Sequence, residues 1–210
     1  MKKLILLLSV ILAFSACEKD PDMERLEDDY LVYTNHDSKI NFKILQTFYL
    51  PSRILIISDD ETSTYLDEET TESILSAYTE NMEERGYRLT YNKTEADLGI
   101  QISYIQSNRF FAGHNTGQWW WQYPSYWTPD YWGNWEEWHY PFETNYSYNT
   151  NSFLIEMVNL HPIQAVSNLL PVVWNSYLTG FKTGTRHIDL RLLTKAIRQS
   201  FEQSPYLTNH

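Results

Sequence analysis

The sequence predicts an α+β fold: a two-layer domain with a mixed, mostly antiparallel sheet, two helices on one face and a long Trp/Tyr-rich insert. Three observations predict it. Leu98, Ile100, Ile102 and Tyr104 alternate along one face of an extended segment, the period of a strand. Ile74, Tyr78 and Met82 recur every four residues, the period of a helix that buries one stripe. Taken in order, the segments read β, β, α, β, β, insert, β, β, α, and two helices in that order can cover one face of a mixed sheet. The other face must then be solvated or covered by the insert.

Each element has a local reason. Ile40–Leu50 mixes β-branched and aromatic residues and stops at Pro51, as a strand does. Arg53–Ile57 is a second short apolar run, and the acidic Ser58–Glu61 reads as a loop. A helix is expected over Glu68–Arg85. Asp67 can cap it, Glu68 and Glu69 suit its positive N-terminal end, and Gly86 stops it. Tyr87–Tyr91 reads as a returning strand and Leu98–Ile105 as the next. Periodicity then vanishes, and the insert occupies about residues 110–144. Strand character returns at Ser152–Asn159 and Pro171–Leu178, with turns at Gly180 and Gly184. The last helix starts near Asp189, with Ile188 placed to pack against Leu193. Its apolar stripe is Leu192, Leu193, Ala196, Ile197 and Phe201, and Ser204-Pro205 ends it.

The N-terminus carries a different signal. Lys2 and Lys3 precede Leu4–Phe14, which is apolar except for Ser9, the layout of an export signal over residues 1–16. The apolar run is too short for a spanning helix, which needs ~20 residues. Phe14-Ser15-Ala16-Cys17 resembles a bacterial lipobox, and Cys17 is the single cysteine of the chain. The expectation is a lipoprotein tied to a membrane through acyl chains such as palmitate on Cys17; more than one chain is needed for a stable hold. Residues 17–38 are then an acidic tether and residues 39–207 one α+β domain. The acidic run after Cys17 also resembles the surface-export signal of Bacteroidetes lipoproteins. The expected location is the outer membrane, on its periplasmic face or at the cell surface.

Several segments together resemble a known family. Thr47-Phe48-Tyr49-Leu50-Pro51 is similar to its opening strand, and Ile74 to Gly86-Tyr87 to its first helix and Gly-Tyr ending. Ala96-Asp97-Leu98 is similar to its next strand start, Ser152–Asn159 and Val173-Trp174 to its paired later strands, and a terminal helix closes it. This is the pattern of the bacterial lipoproteins of domain-of-unknown-function family 4136. The resemblance implies a fold and an envelope location and implies no activity.

Charge narrows the partners. The formal net charge is −11, and loss of residues 1–16 removes Lys2 and Lys3 and no acid, moving it to −13. Such a field repels nucleic acid, whose binding rests on phosphate neutralisation. No Gly-x-Ser-x-Gly turn, His-Glu-x-x-His or Cys-x-x-Cys is present, and the seven glycines are scattered rather than gathered into a phosphate loop. The expectation is no enzyme, no catalytic residue, no metal and no cofactor. The alternative is an envelope hydrolase whose site is assembled from residues distant in sequence. Glu136-Glu137-Trp138-His139 is the densest polar group, and an exposed cluster is its simplest reading.

Gln118–Tyr140 holds seven of the eight Trp and four of the sixteen Tyr. Three readings stay open. The rings can cover the free sheet face, where Trp and Tyr bury large areas. They can form a binding surface for a glycan, peptidoglycan or an envelope protein, since flat rings with polar edges suit sugars and interface hot spots. They can settle at a membrane interface. The candidate contacts are Trp119, Trp120, Trp121, Tyr126, Trp127, Tyr131, Trp132, Trp135 and Trp138.

Overall fold

A computed structural model of the chain describes residues 30–58, 64–106, 127–142, 151–162, 168–181 and 188–210. Within them the fold is α+β, with two helices and an open, mixed, nine-stranded sheet. The strands are β1 (Leu31–His36), β2 (Thr47–Tyr49), β3 (Leu55–Ile57), β4 (Thr64–Tyr65), β5 (Arg88–Leu89), β6 (Leu98–Ile105), β7 (Glu137–His139), β8 (Ser152–Asn159) and β9 (Leu169–Thr179). The helices are α1 (Glu68–Glu84) and α2 (Leu190–Glu202). The main order across the sheet is β1-β9-β8-β6-β2-β5. Its long ladders, β1 with β9, β9 with β8 and β8 with β6, are antiparallel.

Both helices lie on one face. From α1, Ile74, Ala77, Tyr78 and Met82 pack with Leu193, Ala196, Ile197 and Phe201 of α2 over Leu98, Ile100, Ile102, Phe153, Ile155 and Trp174. Asp67 caps α1 by accepting from the Thr70 N–H at 2.9 Å, and Asp189 caps α2 by accepting from Arg191 and Leu192. These caps satisfy N–H groups that the first helical turn leaves open. Gly86, at φ +88°, follows α1 in the left-handed region that favours glycine.

Residues 31–36, expected within a tether over residues 17–38, belong to the sheet. Leu31–His36 forms β1, with all six residues registered against Thr179–Trp174 of β9. The acidic run masks this boundary: Leu31-Val32-Tyr33-Thr34 is rich in strand formers, but only partner β9 makes it an element. Residues 40–50 are also not one strand. Phe42–Ile44 forms a 3₁₀ turn, begun by the Asn41 side chain accepting from the Lys43 N–H, and β2 is confined to Thr47–Tyr49.

β6 has two neighbours in tandem on one flank. β2 pairs in parallel with Leu98-Gly99, and β3 with Ser103–Ile105. Residues 50–54 therefore run past residues 100–102 without ladder pairing, five residues against three. Such a mismatch pushes the longer segment out of the sheet, as a bulge does. Asp97 fixes the start of this arrangement. One of its carboxylate oxygens accepts from the Gln46 and Thr47 N–H groups, at 2.8 and 3.0 Å, and from the Thr47 hydroxyl.

Candidate functional site

The face away from the helices is not a solvated face. Register puts Gly99, Gln101 and Ser103 of β6 beside Val158, Glu156 and Leu154 of β8, with Asn175 and Tyr177 of β9 beyond. Gln101, Glu156 and Asn175 are fully buried although polar, and they sit in one cross-strand row. Residues from the aromatic segment lie over them. Trp132, Trp138 and Tyr140 join Ile57, Ile105, Leu154, Val158, Leu170 and Val172 in a second apolar cluster.

Trp132 is the keystone of this cover. It stands in a 3₁₀ turn, Pro129–Trp132, that starts on a proline. Its six-membered ring lies directly on Gly99, where a Cβ would come within 2.4 Å of a ring carbon. Its indole N–H donates to the Gln101 carbonyl oxygen at 3.2 Å, and the Gln101 amide donates to Glu156 at 2.9 Å. The buried amide thus answers both an indole and a carboxyl group, which burial otherwise makes costly. Trp138 is held by β7, paired in parallel with Leu169–Pro171.

The candidate contacts therefore divide. Trp119, Trp120, Trp121 and Tyr126 lie outside the described residues. Trp132 and Trp138 are 4 % exposed and pack on the free sheet face, the covering role open to the rings of this segment. Trp127, Tyr131 and Trp135 are half-buried. Glu137, exposed, and His139, half-buried, share the face of β7 opposite buried Trp138. Among the described residues, no three His, Cys, Asp or Glu side chains are grouped to hold a metal ion.

Around Tyr131 the half-buried rings gather into a nest. Its ring centroid is 4.3 Å from Trp127 and 5.0 Å from Trp132, the latter edge-on at 89°. Its hydroxyl is 3.4 Å from that of Tyr49, which ends β2 and shares the covered face because it registers with Gly99. Lys93 donates to the Tyr131 carbonyl, and its ammonium lies 3.8 Å from the ring centroid. Partial burial pulls the Lys93 pKa down, against the opposing effect of Asp130. Burial also pushes the Tyr131 hydroxyl up, helped by the hydrogen bond and charge of Tyr49, while the Arg53 cation pulls the other way. Arg53 comes from the bulged segment between β2 and β3, and its guanidinium lies 4.1 Å over the ring of Tyr65 on β4.

Tyr49, Arg53, Tyr65 and Lys93 carry no sequence signal as site residues. Each is ordinary alone: the tandem pairing of β2 and β3 along β6 sets Tyr49 and the strand beside Tyr65 on the covered face, and the turn before β6 brings Lys93 to Tyr131. Chemically the nest offers flat apolar rings, a phenol pair and two cations. No nucleophile with an adjacent base stands among them.

A profile of the family described as domain of unknown function DUF4136 matches residues 32–206. The crystal structure of a DUF4136 family protein from Bacteroides thetaiotaomicron is 55% identical, covering 88% of this chain and all of its own, with a TM-score of 0.80. A PelC dodecamer from Paraburkholderia phytofirmans is 12% identical over 86% of this chain and 99% of its own, with a TM-score of 0.41. No curated protein matches the chain. Among the described residues, no helix is long and apolar enough to cross a membrane. With both a profile that spans nearly all of the folded residues and a solved relative at this identity, the chain belongs to the DUF4136 family.

Proposed function

We propose that this chain is an exported, lipid-anchored protein of the bacterial outer membrane with a binding rather than a catalytic role, and that its ligand is a glycan held at the Tyr131 nest. The observation that carries the reading is the division of the aromatic segment. The sheet face consumes Trp132 and Trp138, whereas the rings of Trp127 and Tyr131 are half-exposed beside the Tyr49 and Tyr131 hydroxyls. A sugar ring has a flat C–H face that stacks on such rings and hydroxyls that bond to their polar edges. Supporting export are Lys2, Lys3, the apolar run Leu4–Phe14 and Cys17 after Ser15-Ala16.

Two experiments test the two halves. The purified protein is presented with immobilised envelope polysaccharides, peptidoglycan and a glycan panel. Enrichment of a saccharide that Tyr131→Ala loses without a change in Tm supports the nest as the site. Failure to enrich any saccharide contradicts it. Metabolic labelling with a fatty-acid probe is expected to vanish in Cys17→Ala, and persistent label contradicts anchoring at that residue.

A further inference from the structure

Beside the nest stands a cation that no described residue pairs. Arg53 is exposed, braced over Tyr65, and among the described residues it forms no ion pair and donates no hydrogen bond. Lys93, the other cation, is already spent on the Tyr131 carbonyl and ring. The connection between β2 and β3 explains the placement. Within residues 50–54 Ile54 is buried in the helix-side core while Arg53 is exposed, and the register of β3 with β4 sets Tyr65 opposite Leu55, on the face that Tyr49 shares. Arg53, over Tyr65, thereby lies on the side of the sheet that Tyr49 and Tyr131 share.

Two donors are available there. A guanidinium presents a planar fork of N–H groups that matches a carboxylate in two parallel hydrogen bonds, and stacking on a ring leaves that fork free while limiting its motion. The Tyr49 and Tyr131 hydroxyls share one hydrogen bond, so one phenolic proton of the pair has no acceptor among the described residues.

Resting on the glycan reading above, we propose that the site is selective for an acidic sugar, a uronic acid or similarly carboxylated ring, with Arg53 pairing its carboxylate. The ring stacks on Tyr131 and Trp127, and the spare phenolic proton reaches a ring or hydroxyl oxygen. A monoanion fits better than a phosphate dianion, because the −11 chain and nearby Asp130 oppose each added negative charge.

The test uses glucuronate, galacturonate and mannuronate oligosaccharides, each with its neutral methyl ester, titrated calorimetrically into the purified protein at low and high salt. At least one acid form is expected to bind about tenfold more tightly than its ester, the worth of one charge-assisted pair. The preference should shrink at high salt. In Arg53→Gln acid and ester should bind alike, and Arg53→Lys should recover part of the preference. Arg53 is exposed, so unchanged Tm is expected for both variants. Equal binding of acid and ester, or a preference that survives in Arg53→Gln, overturns the acidic-sugar proposal while leaving the glycan reading intact. Binding of no saccharide in either form overturns both.

Discussion

Gly99→Ala is the sharpest test of how the aromatic segment is seated. Gly99 does not sit in the left-handed region, so alanine suits its backbone, and such a change alone stabilises by about 0.4–1 kcal/mol. Trp132 reverses that sign. The new methyl carbon would lie 2.4, 2.6 and 3.0 Å from three atoms of the indole. Ordinary carbon–carbon contact is about 3.5–4 Å, so the ring must retreat by about 1 Å. The Trp132 to Gln101 hydrogen bond is already 3.2 Å long and breaks on such a retreat. Overpacking costs about 1–3 kcal/mol and the lost bond about 1 kcal/mol more, about 2–4 kcal/mol together. For a domain of this size that lowers Tm by roughly 8 °C near the middle of the range.

The assay is a thermal melt of four proteins: wild type, Gly99→Ala, Trp132→Ala and the double variant. Trp132→Ala alone should cost about 3–5 kcal/mol. In its background Gly99→Ala should become neutral or mildly stabilising, because the obstructing ring is gone. That change of sign is a coupling larger than the few tenths of a kcal/mol by which independent sites fail to add. A Gly99→Ala penalty of the same size with and without Trp132, or no penalty in wild type, refutes the reasoning.

Further expectations concern the C-terminal clasp and one histidine. Arg85 donates to the carbonyls of Ser204 at 2.8 Å, Leu207 at 3.0 Å and Phe201. Arg85→Ala should cost about 2–4 kcal/mol by leaving these acceptors unanswered, and amide exchange at Leu207 should accelerate; unchanged exchange contradicts the clasp. Gly86→Ala forces a left-handed alanine at φ +88° and should lower stability by about 1–2 kcal/mol, with a drop in Tm as the readout. Burial holds the His36 imidazole below its ordinary value of 6.5, against the opposing charge of Asp37. As pH falls the unfolded chain takes up this proton first, so the contribution is complete above 6.5 and is lost below it. Tm should therefore fall between pH 7 and pH 5 with a component that His36→Phe removes, a variant that keeps a ring on Tyr206, now stacked at 3.6 Å.

How much of this was legible in the sequence follows from where the signals lie. β6 and β8 have the expected bounds because Leu98, Ile100, Ile102 and Tyr104 alternate along the first and Phe153, Leu154, Ile155 and Val158 enrich the second in strand formers. The helices are legible from their caps and stripes, Asp67 with Ile74, Tyr78 and Met82, and Asp189 with Leu193, Ala196 and Ile197. β4, β5 and β7 are two or three residues long, and pairing rather than composition makes them strands. Gln101, Glu156 and Asn175 read in sequence as positions facing water, and the cover buries them. The aromatic segment announces itself by composition. Its division into cover and nest does not, because the division depends on Gly99 giving room to one ring and on Tyr49 meeting another. Arg53 and Tyr65 were illegible for the same reason: the relation among Tyr49, Arg53, Tyr65 and Tyr131 exists only once β2 and β3 line one flank of β6.

Hydroxyl-radical footprinting of the purified protein, read residue by residue by mass spectrometry, tests that division most directly. Tyr91, 90 % exposed, and Trp174, fully buried, supply the fast and slow references within the same molecule. Trp132 and Trp138 should oxidise as slowly as Trp174, while Trp127 and Tyr131 oxidise at rates between the two references and are slowed by a bound saccharide. Oxidation of Trp132 and Trp138 as fast as that of Trp127 contradicts the account.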